Sequence, residues 1–133
     1  MVCIYCGSST WVKNSRSSAK YNTTWRRRTC QKCQGVFTTI EYPELASSFV
    51  VKDSRGQLTP FNRDRLFIDV YESCKHRPSA LDDAAGLAKT VAAQLGKTGN
   101  GVILSSDIIA TTTKVLKRFD RSAAVVYTAY HSR

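Results

Sequence analysis

The sequence predicts an α+β protein in two parts, a small metal-held β module followed by a domain made of a β-hairpin and about four helices. Three observations carry this. Four of the five cysteines fall into two C-x2-C pairs, Cys3/Cys6 and Cys30/Cys33. Beyond residue 48 a short strand-like run gives way to apolar residues at helical spacing. Finally, 133 residues suffice for one such module plus a domain of about 85 residues, and exclude a large multi-domain enzyme. The expected domains are residues 1–48 and 49–133.

The cysteines define the first module. The N-terminus from Met1 to Gly7 has neither a basic head nor an apolar stretch, and no apolar run approaches the roughly 20 residues that span a bilayer. A cytoplasmic chain with no membrane partner is expected, and there paired cysteines bind metal more often than they form disulfides. Between Cys6 and Cys30 lie 23 residues, the spacing of a zinc ribbon. Each C-x2-C turns tightly enough to aim two thiolates at one point, so Cys3, Cys6, Cys30 and Cys33 complete a tetrahedral site for one structural Zn2+. The alternative is a redox pair of dithiols. A closed four-sulfur site leaves no position for water, which removes a zinc hydrolase from consideration. Gly7 and Gly35 follow the two knuckles, where a turn is expected to need positive φ. Besides Trp11, Val12, Trp25, Val36 and Phe37 the module has little apolar content, so metal must supply much of its folding energy.

Charge suggests a partner. Twenty Lys and Arg against ten Asp and Glu give +10 and a pI near 9.7, which favours a polyanion such as nucleic acid or nucleotide phosphate. The first part carries seven basic and two acidic residues, the second thirteen and eight, so the first is the more concentrated. Its candidates for double-stranded DNA are Lys13, Arg16 and the run Arg26, Arg27, Arg28. On an extended strand Arg26 and Arg28 share a face and Arg27 takes the other. The guanidinium fork fits phosphate and also the O6/N7 edge of guanine. A solvated basic face with no partner is the bland alternative.

The second domain follows a joint around residues 42–48. Phe49-Val50-Val51-Lys52 reads as a strand, Asp53-Ser54-Arg55-Gly56 as a turn, and a second extended piece runs to Pro60. Asn62 suits the N-cap of a helix over 63–76, with Leu66, Phe67, Val70, Tyr71 and Cys74 on its apolar stripe. Pro78 ends it, and Ser79 is expected to cap a helix from Leu81 to Leu95 that stops at Gly96 and the turn Gly99-Asn100-Gly101. Ser105 or Ser106 opens the next helix, with Ile108, Ile109, Val115, Leu116 and Phe119. A last segment near 121–131 sets Ala123, Ala124, Tyr127 and Tyr130 on one side. Gly96-Lys97-Thr98 is not a P-loop, because Val91 stands where the pattern needs glycine. His76 and His131 lack ligand spacing to a cysteine or carboxylate and receive no metal or catalytic role.

Taken in order, the knuckles, Asn14-Ser15-Arg16, Arg26-Arg27-Arg28-Thr29-Cys30, Phe37-Thr38-Thr39, Val50-Val51-Lys52, Pro60-Phe61-Asn62 and Arg77-Pro78 resemble the NrdR family over nearly the whole chain. These are bacterial repressors of ribonucleotide reductase genes, not enzymes, built from a zinc ribbon and an ATP-cone. The resemblance implies that the ribbon binds paired operator boxes and that the cone binds ATP or dATP, with a homo-oligomeric state that depends on nucleotide. It implies nucleotide contacts for Val50, Lys52, Asn62, Arg65 and Ser105; Arg55 is a further candidate, and Tyr127 and Tyr130 are the aromatics left to face an adenine, with Tyr127 the candidate for that contact. Core packing is the other reading of Tyr127, and the favoured one for Tyr130. The sequence departs from the family at Thr59, where a carboxylate is usual, at Arg65 for lysine, at Ala124 and His131 for aromatics, and at Arg133, beyond which the acidic extension is missing. The second functional reading is a nucleotide-binding adaptor that docks on ribonucleotide reductase or another protein through its ribbon.

Overall fold

The computed structural model describes residues 1–98 and 101–132, and these form two compact units, Met1–Pro43 and Glu44–Arg133. The division falls five residues before the expected 48/49 boundary. The joint is not featureless: Glu44 accepts from the Ala46 amide and starts a one-turn helix, α1 (Leu45–Ser48), whose Leu45 packs with Phe49 against the second unit's core.

The first unit is an antiparallel sheet of β1 (Thr10–Ser18), β2 (Thr23–Cys30) and β3 (Val36–Glu41) in that order. Its core contains only Cys3, Cys30 and Phe37. Across the strands Trp11, Thr29 and Val36 stand in one row, Asn14, Arg27 and Thr38 in the next, and Arg16, Trp25 and Ile40 in a third. All three rows lie on one face, because directly opposed residues share a face and alternate residues of β2 repeat it. A bulge at Lys13 makes this possible: Val12 opposes Arg28, yet Asn14 opposes Arg27.

After α1 the second unit continues with β4 (Val50–Lys52) and β5 (Leu58–Pro60), joined by a turn in which Asp53 accepts from the Arg55 and Gln57 amides and Gly56 takes φ +83. The hairpin is not alone. A strand absent from the sequence reading, β6 (Val102–Leu104), lies parallel to β4 and gives the order β5-β4-β6. Four long helices follow the expected plan: α2 (Arg63–Cys74), α3 (Ala80–Leu95), α4 (Ser105–Phe119) and α5 (Arg121–His131). The expected turn residues Gly99 and Asn100 lie outside the described residues.

Helix α2 packs on α3 and α5, and α4 on α3 and α5. Leu66, Val70 and Cys74 of α2 share one buried core with Ala84, Ala88, Val91 and Leu95 of α3. Asn62 caps α2 as expected, accepting from the Arg65 amide at 2.9 Å. Ser79 does not cap α3: its hydroxyl donates to Asp83 instead, at 2.7 Å. That carboxylate also takes Arg77 Nε at 2.8 Å, and Arg77 Nη1 reaches Asp120 at 3.1 Å. Asp120 caps α5 with its other oxygen and accepts from His76, so His76 first, then the Ala123 amide, Arg77 and the Ser122 amide, hold its carboxyl down to about 2. His76 thus has a structural partner that its sequence context did not reveal.

Candidate functional site

The two knuckles converge as their spacing predicts. The four sulfurs of Cys3, Cys6, Cys30 and Cys33 all lie within 4.8 Å of one another, with Cys3 to Cys33 at 3.6 Å and Cys6 to Cys30 at 3.5 Å. Four sulfurs about 2.3 Å from a tetrahedral zinc stand about 3.8 Å apart, so the cluster fits that ion. Backbone amides support the fit: Tyr5 donates to the Cys3 sulfur, and Lys32 and Cys33 donate to that of Cys30. A Ser8 amide chiefly lowers Cys6 to about 6, whereas at Cys33 the pull of the Gly35 amide is outweighed by its thiol neighbours and burial, which push it up to about 12. Four thiols crowded together cannot all ionise without a cation between them. Zinc, when bound, supplies that charge and closes the module.

The glycines divide their work differently from expectation. Gly7 has φ +72, but in the second knuckle the positive φ falls on Gln34, at +59. Gly35 is needed for space: a Cβ there would stand 2.5 Å from Tyr5 Cδ2 and 3.2 Å from the Cys33 sulfur. The Tyr5 ring that fills this space meets Phe37 edge-on at 6.4 Å.

The sheet separates the arginines. Arg26 and Arg28 share a face, as alternation requires, but both are engaged there. Arg26 contacts Glu41 through Nε at 3.2 Å and Nη2 at 3.0 Å, and Arg28 Nε donates to Thr39 at 3.2 Å. Arg27 and Arg16 lie on the opposite face, both exposed, and neither pairs with an acidic group among the described residues. The same face carries exposed Trp11, Val36 and Ile40, with half-buried Trp25 between Arg16 and Ile40. Lys13 is the exposed bulge residue.

In the second unit Val51 packs on the core, which turns Val50 and Lys52 outward. Val50 stands between Pro60 and Val102, and Lys52 between Leu58 and Leu104. Leu58, Val102 and Leu104 are 60%, 47% and 45% exposed, so the outward face is apolar with one lysine on it. Sequence reasoning missed those three residues, because the role of Val102 and Leu104 depends on β6. Ser105 follows Leu104 as the first residue of α4, and Asn62 begins α2 two residues after Pro60, so two helix N-termini adjoin this face. Arg65 lies exposed in the first turn of α2 and Arg55 at the hairpin tip. Tyr127 is not with them. It is 1% exposed, hydrogen-bonded to Thr112 and stacked on His131 at 4.2 Å, so burial pushes its phenol up and its ring has no open face. Tyr130, expected in the core, is 72% exposed. Among the described residues no helix is long and apolar enough to cross a membrane.

Comparison with known proteins bears on both units. The profile of a family described as "Transcriptional repressor NrdR-like, N-terminal domain" matches residues 1–41, the span of the sheet and its knuckles. Along the whole chain it is similar to the transcriptional repressor NrdR of Phenylobacterium zucineum, 35% identical over 132 residues that cover 98% of this chain and 84% of that one. The corresponding protein of Petrotoga mobilis is 32% identical over 133 residues, covering 98% and 87%, and that of Tropheryma whipplei is 34% identical over 132 residues, covering 98% and 87%.

Proposed function

The chain belongs to the NrdR family of transcriptional repressors, and from that premise we propose that it senses nucleotide with its second unit and reports the result through operator binding by its ribbon. The repressor role is not an enzymatic one. The ribbon contacts double-stranded DNA upstream of ribonucleotide reductase genes, with Lys13, Arg16 and Arg27 as the cationic set; Arg26 and Arg28, expected in that set from the sequence, are engaged within the sheet by Glu41 and Thr39. The observation that carries the DNA reading is a four-cysteine module that presents Arg16 and Arg27, without acidic partners among the described residues, on an exposed sheet face.

The second unit, Glu44–Arg133, is an ATP-cone that binds ATP or dATP. Its outward sheet face supports this: the apolar surface of Val50, Leu58, Val102 and Leu104 suits a purine, and Lys52 suits phosphate. The N-termini of α2 at Asn62 and α4 at Ser105 add partial positive charge, with Arg55 and Arg65 on the approach. Tyr127, buried in the helical core, is not part of this face. Nucleotide identity shifts a homo-oligomeric equilibrium, and coupling to DNA requires that ATP and dATP differ in affinity for the binding-competent assembly.

The experiment is fluorescence anisotropy of the zinc-loaded chain on operator and scrambled duplexes, with ATP, with dATP and with neither. Selective binding that changes with nucleotide is expected, and equal binding indifferent to nucleotide would reject the proposal. Lys52→Ala is expected to lower nucleotide affinity about tenfold without weakening nucleotide-free DNA binding. Undiminished nucleotide affinity would remove Lys52 from the site.

A further inference from the structure

The two faces of the ribbon sheet differ in chemistry. Glu41 is the sole acidic residue in Met1–Pro43, and it lies on the face of Arg26 and Arg28. On that face Arg26 spends its guanidinium on Glu41, Arg28 bonds Thr39, and Phe37 and Cys30 are buried towards the cysteine cluster. The opposite face has no acidic residue, and its two arginines have no acidic partner among the described residues.

We propose that the ribbon reads operator DNA with this opposite face alone: the opposed pair Asn14 and Arg27 makes base contacts in the major groove, while Arg26 serves the sheet. The proposal rests on the reading that the ribbon binds operator DNA. Three arguments support the assignment. First, the charge of the face is complementary to DNA, whereas the other face would bring Glu41 against phosphate. Second, the residue types are those that read base edges: arginine pairs with guanine O6/N7, asparagine with adenine N6/N7, and apolar groups contact the thymine methyl. Phosphate attraction alone would need neither Asn14 nor the exposed apolar groups of Trp11 and Ile40 on the same face. Third, the spacing fits. Arg27 and Trp25, two residues apart on β2, are separated by about 6.8 Å, the rise of two base steps. A two-stranded ribbon enters a major groove about 12 Å wide, so β1 and β2 lie in the groove and β3 at its edge.

The test uses the zinc-loaded full chain and variants Arg27→Lys, Asn14→Ala, Arg26→Ala and Glu41→Gln, each checked for zinc content and tryptophan emission. Operator and scrambled duplexes are titrated over a salt series. Arg27→Lys keeps the charge but not the fork, so it should retain binding to the scrambled duplex and its salt dependence while operator preference falls roughly 5- to 150-fold. Asn14→Ala should reduce preference in the same range, and Arg26→Ala should leave it unchanged. If Arg26→Ala loses zinc, Glu41→Gln answers instead, because it releases Arg26 without removing its charge, and unchanged preference is again expected. Selective binding by the wild type that survives Arg27→Lys and Asn14→Ala would overturn this assignment and leave the DNA reading standing. Wild type that prefers neither duplex would overturn both, and loss of self-association or protein capture in the Arg27 variant with operator binding intact would give the face to a protein partner instead.

Discussion

Both tryptophans of the chain, Trp11 and Trp25, lie in the ribbon, whereas all the helices belong to the second unit. Metal removal can therefore be followed in each unit separately without a label. The ribbon buries only one large apolar side chain, Phe37, worth about 1.5–3 kcal/mol on folding. Ordering a single residue costs about 1–2 kcal/mol of backbone entropy, so this burial cannot hold three strands and two knuckles. Zinc bound by four cysteines supplies about 10–16 kcal/mol at neutral pH, several times what Phe37 provides. Titrating a strong chelator into the zinc-loaded protein should shift tryptophan emission to that of an unfolded chain, with loss of about one zinc per chain. The 222 nm ellipticity and its thermal midpoint should stay within error, because the core from Phe61 to Tyr127 contains no cysteine ligand. Restored zinc should restore the emission. Native tryptophan emission with zinc demonstrably gone, or helix loss in step with it, would refute the reasoning.

Three further outcomes are expected. Thr112→Val removes the hydrogen-bond partner of the buried Tyr127 phenol and should destabilise the helical unit by about 1–3 kcal/mol in urea denaturation, with emission from the ribbon unmoved. Asp120 is held at about 2 against an ordinary 3.8, so the stability it gives is complete above about pH 4 and is lost as pH falls through about 2; Asp120→Asn should flatten the pH dependence of the helical unit's melting temperature in that window, and an unchanged slope would exclude this carboxyl as its source. Gly35→Ala should displace the Tyr5 ring from Phe37 at a cost of about 1 kcal/mol, read as weaker zinc affinity in competition with a chromophoric chelator, while Tyr5→Ala should remove most of the added penalty.

The cysteine spacing, the helix order and the Asn62 cap could be read from the sequence because each depends on residues near in sequence. What escaped depends on distant partners. Val102-Ile103-Leu104 is too short to show a period, and only pairing with β4 makes it a strand. At the end of α5 the stripe of Ala123 and Tyr127 could continue to Tyr130 or His131 with similar helical spacing. His131 takes the place, with its ring on Tyr127 and Nε2 3.6 Å from Asp69, which leaves Tyr130 outside. Strand alternation separated Arg26 and Arg28 from Arg27, but could not say which side was already engaged, since Glu41 comes from the far strand. The face of Arg16 was equally hidden, for it depends on a bulge that no local pattern announces.

That bulge makes a local irregularity of the backbone a determinant of surface chemistry. Counted without it, Trp11, Lys13 and Ser15 would share one side of β1, and Val12, Asn14 and Arg16 the other. The extra residue inverts the parity of everything that follows in the strand and delivers Asn14 and Arg16 to the side of Trp11 and Arg27. Loss of Lys13 would leave Asn14 opposite Arg27 and both sides as they are, whereas drawing Lys13 into a regular ladder would exchange the two sides for the rest of β1 with no change of composition. What β1 displays beyond Val12 is therefore set by where the ladder skips a residue, not by which residues it contains.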